Sequence, residues 1–176
     1  NVTAPHKVEV MKYIDVITDG AKKLGSVNTV VNRDGKLYGY NTDADGFCMA
    51  LTKAGIEIEN SRILIIGAGG VVRPTLIRLI DNKPKSITVV NRTKSKAKTL
   101  AEDILKSTGF EVNTEIDKLE FDIVINTTSA GMEPQENVMP IENIEEINDL
   151  SFINENTAAV DMIYNPDKTL FLQEAE

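Results

Sequence analysis

Residues Arg62–Gly70 read RILIIGAGG, an apolar run rich in β-branched side chains that ends in Gly67-Ala68-Gly69-Gly70. A buried parallel strand that turns on glycines into a helix is a common binding site for a dinucleotide pyrophosphate. Gly67 permits the tight turn, Gly69 lets backbone N–H groups approach the phosphates, and the helix that follows from Val71 contributes partial positive charge. The stretch therefore predicts a strand, a glycine-rich cofactor loop and a helix.

A second apolar run, Ser86–Val90, ends in Asn91-Arg92-Thr93, at the place where such folds bind the cofactor ribose. NAD enzymes usually carry Asp or Glu there, whereas a guanidinium binds a 2′-phosphate through charge-assisted hydrogen bonds. We therefore predict NADP rather than NAD, with contacts from Asn91, Arg92, Thr93 and Lys96.

The cations after this strand also have a simpler interpretation. Lys94, Lys96 and Lys98 lie at or near the predicted helix Ser95–Lys106, and lysines there are typical of a solvated helix face. For Lys98 this interpretation is favoured, whereas Arg92 at the strand tip favours cofactor binding. Val72 stands where the fingerprint usually has a third Gly or Ala, which predicts wider packing of helix against strand.

Composition indicates a globular protein of 176 residues with 41% hydrophobic residues. A net charge of −8 and a pI near 4.8 argue against a nucleic-acid or anionic-membrane surface. The single cysteine, Cys48, excludes an intramolecular disulfide, and no long apolar run appears, so a cytoplasmic location is predicted. The chain begins at Asn1 without an initiator Met, so we expect a fragment; a homodimer is compatible with the sequence.

The residues before the glycine stretch predict a small mixed unit. Its predicted elements are a strand end at Asn1–Thr3, helices at Lys7–Ile14, Val16–Leu24 and Ala44–Ala54, and a hairpin of Val27–Asn32 and Lys36–Asn41 turning at Arg33-Asp34-Gly35.

From residue 62 onward, strands alternate with helices, which predicts an α/β fold with a Rossmann-like, doubly wound parallel sheet. The predicted strands are Arg62–Ile66, Ser86–Val90, Glu111–Asn113, Asp122–Ile125 and Ala158–Met162, and the helices are Val71–Asp81, Ser95–Lys106 and one starting at Thr169. Met139–Asn156 is acidic and predicts a loop with short helices. Residues 1–55 are expected to be part of a substrate-binding domain and residues 56–176 a cofactor domain, with the active site between them.

Polar motifs recur at the predicted element ends: NVTAPHK (1–7), GSVNT (25–29), NTDADG (41–46), GAGGVVR (67–73), NRT (91–93), NTTSAGM (126–132) and DMIYNPDKT (161–169). In this order the set resembles the shikimate dehydrogenase family and covers nearly the whole chain. The resemblance implies reversible, NADP-dependent reduction of 3-dehydroshikimate to shikimate in aromatic amino acid biosynthesis.

The resemblance also implies roles for individual residues. Lys7 matches the family's catalytic lysine, and Asp43 matches its acidic partner. The residues that match the family's substrate-binding residues are Asn1, Thr3, Asn28 and Tyr164. Those that match its cofactor loop are Gly67, Ala68, Gly69, Gly70 and Val71, and those that match residues near the nicotinamide are Thr127, Ser129 and Met162.

Simpler interpretations exist for several of these residues. Without the family match, Lys7 would be a surface lysine and Asp43 an N-cap for a helix starting at Ala44. His6, the only histidine, is not favoured as the general acid. The spacing after Asp43 fails as a calcium loop, and no His/Cys cluster predicts zinc. Cys48 is expected to be a packing residue.

The sequence departs from the family pattern at its two ends, and two alternative functions stay open. Relatives carry a segment ahead of NVT that grips the substrate carboxylate and a returning helix at the other end, and neither is present in these residues. Within the enzyme class, a quinate/shikimate dehydrogenase remains an alternative. From another class, a non-catalytic NADP-binding module remains one, although retention of Lys7 and Asp43 argues against it.

Overall fold

The described part of the chain contains two separate β-sheets, one of three strands and one of four. The computed structural model describes residues 1–3 and 5–176. In chain order the elements are a 3₁₀ helix at Glu9–Tyr13, β1 at Val16–Ile17, α1 at Asp19–Leu24, β2 at Thr29–Arg33, β3 at Lys36–Tyr40, α2 at Asp43–Lys53, β4 at Arg62–Ile66, α3 at Val72–Asp81, β5 at Ser86–Val90, α4 at Lys94–Thr108, β6 at Ile123–Asn126, β7 at Ala158–Asp161 and α5 at Leu170–Glu174.

The four-stranded sheet is entirely parallel and has the order β5-β4-β6-β7. From β4 the chain first moves to β5 on one side and then returns to β6 on the other, so the direction of winding reverses beside β4. The carboxyl end of β4 is therefore a topological switch point, the place where open α/β sheets bind their ligands. The predicted Rossmann-like α/β fold is confirmed.

Alternate residues of β4 face two different cores. Ile63 and Ile65 pack in a cluster with α3 and α4, which also takes in Leu24 of α1 and Leu51 of α2. Leu64 and Ile66 pack on the opposite face with residues from the β6–β7 connection and with Phe171 of α5. The strand is buried on both faces, which explains its continuous apolar sequence.

The connection from residue 139 to 153 forms the apolar cover of that second face. Ile141, Ile144, Ile147 and Leu150 are buried against the sheet. Backbone N–H groups bond to the carbonyl three residues earlier, as in Ile144 to Ile141 and Ile147 to Ile144, so the segment is a series of turns rather than the predicted short helices. Its three-residue apolar period is the sequence signal for this arrangement, since side chains three apart then share one face.

The small sheet has the order β1-β3-β2. The predicted hairpin is confirmed, and Asp34 and Gly35 have φ of 52° and 82°, as a two-residue type I′ turn requires. The predicted helix over Val16–Leu24 is wrong in its first residues. Val16 and Ile17 instead pair in parallel with β3, because strand pairing outweighs weak helix propensity for β-branched residues.

Two further predictions fail in part. The predicted helix Lys7–Ile14 is only a 3₁₀ helix at Glu9–Tyr13, and none of its residues is buried to stabilise a longer helix. The predicted strand Glu111–Asn113 is reduced to a single bridge between Asn113 and Thr88.

The buried cover segment yields a stability prediction. We expect Ile147→Ala to lower the free energy of unfolding by about 2 to 5 kcal/mol, because it deletes a large side chain from a closely packed site. The side chain is only 3% exposed. Urea unfolding followed by circular dichroism measures the change. The exposed neighbour Asn148→Ala is the control, and equal unfolding curves for the two variants would contradict a packed role for this segment.

Candidate active site

The glycine loop begins where β4 ends, and its first residue cannot carry a side chain. Gly67 has φ of 118°, and a Cβ there would lie 2.5 Å from Oγ1 of Thr127. The Gly67 N–H donates to the carbonyl of Val90 at 2.8 Å. Thr127 in turn donates from its hydroxyl to the carbonyl of Ile66 at 2.8 Å. The ends of β4, β5 and β6 are thus locked together at the switch point.

The next glycines leave an open surface. A Cβ built on Gly69 or Gly70 would meet no atom within 4 Å, and both residues are exposed. Val71 is also exposed, and α3 starts directly after it at Val72. The start of α3 therefore borders open space beside Gly69 and Gly70, and a glycine loop that leads into a helix N-terminus is the arrangement that binds a phosphate. Val72 itself is fully buried, so its larger side chain is accommodated at the helix–sheet contact.

Asn91 connects the glycine loop to the end of β5. Its Oδ1 accepts from the Ala68 N–H at 3.2 Å, and its amide donates to the carbonyl of Thr93 at 3.0 Å. Arg92 and Thr93 are exposed, and within residues 1–3 and 5–176 Arg92 takes part in no ion pair. Asn91 thus fixes the turn that presents Arg92 beside the glycine loop.

The lysines after Arg92 differ in their surroundings. Lys94 forms ion pairs of 2.8 Å with Glu145 and with Glu146. Hydrogen bonds to Glu145 and Glu146 raise the pKa of Lys94, and the bond from Lys94 lowers the pKa of Glu146. Lys98 lies 3.6 Å from Glu115, in agreement with the favoured interpretation of it as a surface residue. Lys96 is exposed beside the glycine loop, where it borders a shallow cavity together with Ala68.

Lys7 and Asp43 form an ion pair that joins the amino-terminal motif to the start of α2. Lys7 Nζ lies 2.7 Å from Asp43 Oδ2, and the two side chains are 25% and 47% exposed. Asp43 is the first residue of α2, and Thr42 rather than Asp43 stands at the N-cap position, so the N-cap interpretation is wrong. Its carboxylate is instead occupied by Lys7 and by the Asn28 amide, which donates to Oδ1 at 2.6 Å.

The segment Ser26–Asn28 holds these groups in place. The Val27 N–H donates to the backbone carbonyl of Lys7 at 2.8 Å, and the carbonyl of Asn28 accepts from the Val2 N–H at 2.7 Å. Asn28 Oδ1 accepts from the Thr42 N–H at 3.0 Å. We call Ser26–Asn28 the hub segment, because it joins the amino-terminal motif, Lys7 and the start of α2.

The remaining predicted substrate residues lie at different positions. Asn1 and Thr3 are exposed on either side of Val2, close to the hub segment. Tyr164 lies between β7 and α5 with 90% of its surface exposed. His6 is exposed, and its backbone N–H donates to the Thr3 carbonyl at 2.9 Å.

A buried polar network shapes the carboxyl ends of β6 and β7. The Asn126 amide donates to the Asp161 carboxylate at 3.1 Å and to the Ala130 carbonyl at 3.2 Å. Asp161 also accepts from the Thr169 hydroxyl at 2.7 Å, which ties the start of α5 to β7. Sequence reasoning quoted both motifs but gave Asn126 and Asp161 no role. The signal was an asparagine and an aspartate at two adjacent strand ends.

This network positions the residues predicted to lie near the nicotinamide. Thr127 is buried, Ser129 is exposed, and Met162 is half-buried just after β7. The Met162 N–H donates to the Asn126 carbonyl at 3.0 Å. Thr127 and Met162 are therefore brought to the carboxyl edge of the sheet, where Thr127 lies next to Gly67.

No cluster of three or more His, Cys, Asp or Glu suited to a metal ion occurs in the described parts of the chain. Across residues 1–3 and 5–176, no helix has both the length and the apolar surface to cross a bilayer. Cys48 on α2 is half-buried against the large core, and burial raises the pKa of its thiol.

Comparisons with known proteins agree with this geometry. The profile of the shikimate / quinate 5-dehydrogenase family matches residues 49–166, and that of the shikimate dehydrogenase substrate binding domain matches residues 1–30. The chain is 41% identical to the NADP(+) shikimate dehydrogenase of Nitrosopumilus maritimus over 182 aligned residues, which covers 100% of the chain and 63% of that relative.

Solved structures give the same result. A shikimate dehydrogenase in complex with NADP+ superposes with a TM-score of 0.87 at 38% identity, covering 99% of this chain and 61% of that one. The Thermus thermophilus shikimate 5-dehydrogenase in complex with NADP(H) and shikimate gives 0.81 at 32% identity, covering 99% and 62%. The chain thus spans less than two thirds of the length of these relatives. Its sequence and its fold together show that it belongs to the shikimate / quinate 5-dehydrogenase family.

Proposed function

We propose that this protein catalyses the reversible, NADPH-dependent reduction of 3-dehydroshikimate to shikimate, a step towards chorismate and the aromatic amino acids. The observation that carries the proposal is the 2.7 Å contact between Lys7 and Asp43, in a chain that also has an open glycine loop at a sheet switch point. Residues 1–55 are proposed as part of the substrate-binding domain and residues 56–176 as the NADP domain, in line with the two separate sheets.

The residues at the glycine loop fit an NADP molecule. The space over Gly69 and Gly70 accommodates the pyrophosphate, because no atom stands where their side chains would be. Arg92 and Thr93 are exposed at the strand tip and suit the 2′-phosphate, with Lys96 nearby. We propose as cofactor-binding residues Gly67, Ala68, Gly69, Gly70, Val71, Asn91, Arg92, Thr93, Lys96, Thr127, Ser129 and Met162. When bound, NADPH supplies the hydride.

Lys7 is proposed as the proton donor. Reduction turns a ketone into an alkoxide, and an ammonium group within hydrogen-bonding distance supplies the proton as the charge develops. Asp43 holds the Lys7 ammonium from one side, and the Asn28 amide holds Asp43 from the other. These two successive hydrogen bonds fix the orientation of the Lys7 ammonium and therefore of its remaining protons.

Asn1, Thr3, Asn28 and Tyr164 are proposed to bind substrate hydroxyls. Asn28 already donates to Asp43 at 2.6 Å and to the Thr42 hydroxyl at 3.0 Å, so both of its amide protons are used. A substrate hydroxyl must therefore replace one of these contacts. Asn1, Thr3 and Tyr164 are exposed and free to turn towards a ligand.

Two other functions remain open. Quinate as substrate is the first, because the matched family is described by both substrates, shikimate and quinate. A non-catalytic NADP-binding module is the second, and the intact Lys7–Asp43 contact argues against it. A cytoplasmic enzyme is proposed, consistent with the free thiol of Cys48. The oligomeric state stays a prediction.

The direct test measures shikimate-dependent reduction of NADP+, followed by the absorbance of NADPH, in the full-length protein. We expect turnover, and we expect Lys7→Ala to lower kcat by about 100-fold or more with little change in NADPH affinity, because it removes the proton donor. Lys12→Ala is the matched control, since Lys12 pairs only with Glu9 on the exposed 3₁₀ helix. Its kcat should equal that of the wild type.

Two results would contradict this proposal in different ways. If Lys7→Ala turns over as fast as the wild type, Lys7 is not the proton donor. If the wild type binds NADPH but oxidises neither shikimate nor quinate, the non-catalytic module is the better description.

Cofactor selectivity gives a second prediction. Arg92→Ala should weaken NADPH binding by about 10-fold or more and leave NADH binding nearly unchanged, because only NADPH carries the 2′-phosphate that a guanidinium binds. Fluorescence titration of both cofactors measures the ratio. Lys106→Ala, at the far end of α4, is the control for a general loss of positive charge. Equal losses for NADPH and NADH would place the 2′-phosphate contact elsewhere.

A further inference from the structure

Arg73 connects the glycine loop to the other sequence motifs. It is the second residue of α3, directly behind the loop. Its Nε donates to Asp103 Oδ2 of α4 at 2.6 Å, and its Nη1 donates to the carbonyl of Leu24 at 3.0 Å, with Lys23 O at 3.4 Å. Its side chain is 31% exposed. A single guanidinium therefore joins α3, α4 and the carboxyl end of α1.

The end of α1 is built to receive this guanidinium. Gly25 has φ of 69°, and its N–H bonds back to the carbonyls of Ala21 and Lys22. The next two carbonyls, of Lys23 and Leu24, are those that Arg73 binds. Side-chain donors commonly satisfy such last-turn carbonyls. The Gly25 N–H thus satisfies the carbonyls of Ala21 and Lys22, and Arg73 satisfies those of Lys23 and Leu24.

Gly25 also lies close to the Arg73 guanidinium. A Cβ at this position would lie 3.0 Å from Nη1 of Arg73, tighter than most side-chain contacts. The glycine of GSVNT and the arginine of GAGGVVR are consequently two halves of one contact, although nearly fifty residues apart in sequence, as the bond from Arg73 to Leu24 spans 49 positions.

The residues after Gly25 are the hub segment, which holds Lys7 and Asp43. Val27 bonds to the backbone of Lys7, and Asn28 bonds to the carboxylate of Asp43. The Asn41 amide adds a buried bond of 2.8 Å to the Ser26 hydroxyl. A short and fully bonded path therefore runs from the glycine loop through Arg73, Leu24 and the hub segment to the proposed proton donor.

We propose that Arg73 is a positioning residue that sets the placement of the Lys7–Asp43 pair relative to the glycine loop. This inference rests on the proposed function, because it concerns the geometry between the proton donor and the bound nicotinamide. Errors of about 1 Å in such geometry can reduce rates by about 100-fold. Loss of the Arg73 contact should therefore slow the chemical step while leaving each binding site intact.

The test compares Arg73→Met with the wild type in the full-length protein. The methionine keeps an unbranched stem but removes every donor. We expect kcat to fall by about 10- to 100-fold, with KM for NADPH and shikimate changed by no more than about threefold. The primary deuterium isotope effect on kcat should rise, since hydride transfer then limits turnover.

Matched variants separate positioning from simple attachment of the helices. Lys23→Met removes the 2.7 Å ion pair between Lys23 and Asp81, which joins α1 and α3 without touching the hub segment. Its kcat should be unchanged. Arg73→Lys keeps the positive charge but can reach only one of the two partners, Asp103 or the Leu24 carbonyl, so we expect an intermediate kcat. This variant carries the test if Arg73→Met does not fold.

A readout without turnover keeps this inference distinct from the proposed function. Amide hydrogen exchange at Val27 should accelerate in Arg73→Met, while exchange at Val31, within the β2–β3 hairpin, should not change. Unchanged exchange at Val27, or an unchanged kcat and isotope effect in an active protein, overturns the positioning role. A wild type without turnover overturns the proposed function, and the exchange result still decides whether Arg73 holds the hub segment.

Discussion

The burial of Ile63–Ile66 of β4 on both faces of the sheet is the constraint on which the rest of the structure depends. Ile63, Leu64, Ile65 and Ile66 have no exposed surface, and parallel partners bond both edges of the strand. A strand with apolar side chains on both faces needs a cover on each side, and parallel neighbours need long crossover connections. Helices α3 and α4 cover one face, and the turns from residue 139 to 153 cover the other.

The same constraint creates the cofactor loop. The chain must leave the buried strand at Ile66 and turn sharply beneath Thr127, and only glycine fits at position 67. Beyond that turn no atom stands within 4 Å of where a Cβ on Gly69 or Gly70 would lie, so a ligand can approach the backbone closely there. Close packing at the first glycine and open space at the next two are both needed for a rigid anion-binding loop.

The small unit of residues 1–55 depends on polar contacts more than on buried apolar area. The Lys7–Asp43 pair is partly exposed, so its net contribution to stability is small. Its value lies in geometry, because Asn28 and the hub segment fix the orientation of both charges. Arg73 extends that order to the glycine loop, while Leu24 and Leu51 bring α1 and α2 into the apolar core shared with α3. Hydrogen bonds thus orient the charged side chains of this unit, and apolar burial holds its helices against the larger sheet.

The sequence by itself determined the local elements and the type of site. Apolar runs and turn residues predicted the bounds of β4 and β5 as observed, because these depend on neighbouring residues. They also predicted a hairpin that turns at Arg33-Asp34-Gly35, of which Arg33 is the last residue of β2 and Asp34-Gly35 form the turn. Tertiary structure decided the rest. Val16–Ile17 became a strand because β3 lay alongside, and Asp43 became a partner of Lys7 rather than a cap because the hub segment brings them together. The contact between Arg73 and the end of α1 likewise joins residues distant in sequence, and no local pattern encodes which carbonyl a guanidinium will meet once the helices pack.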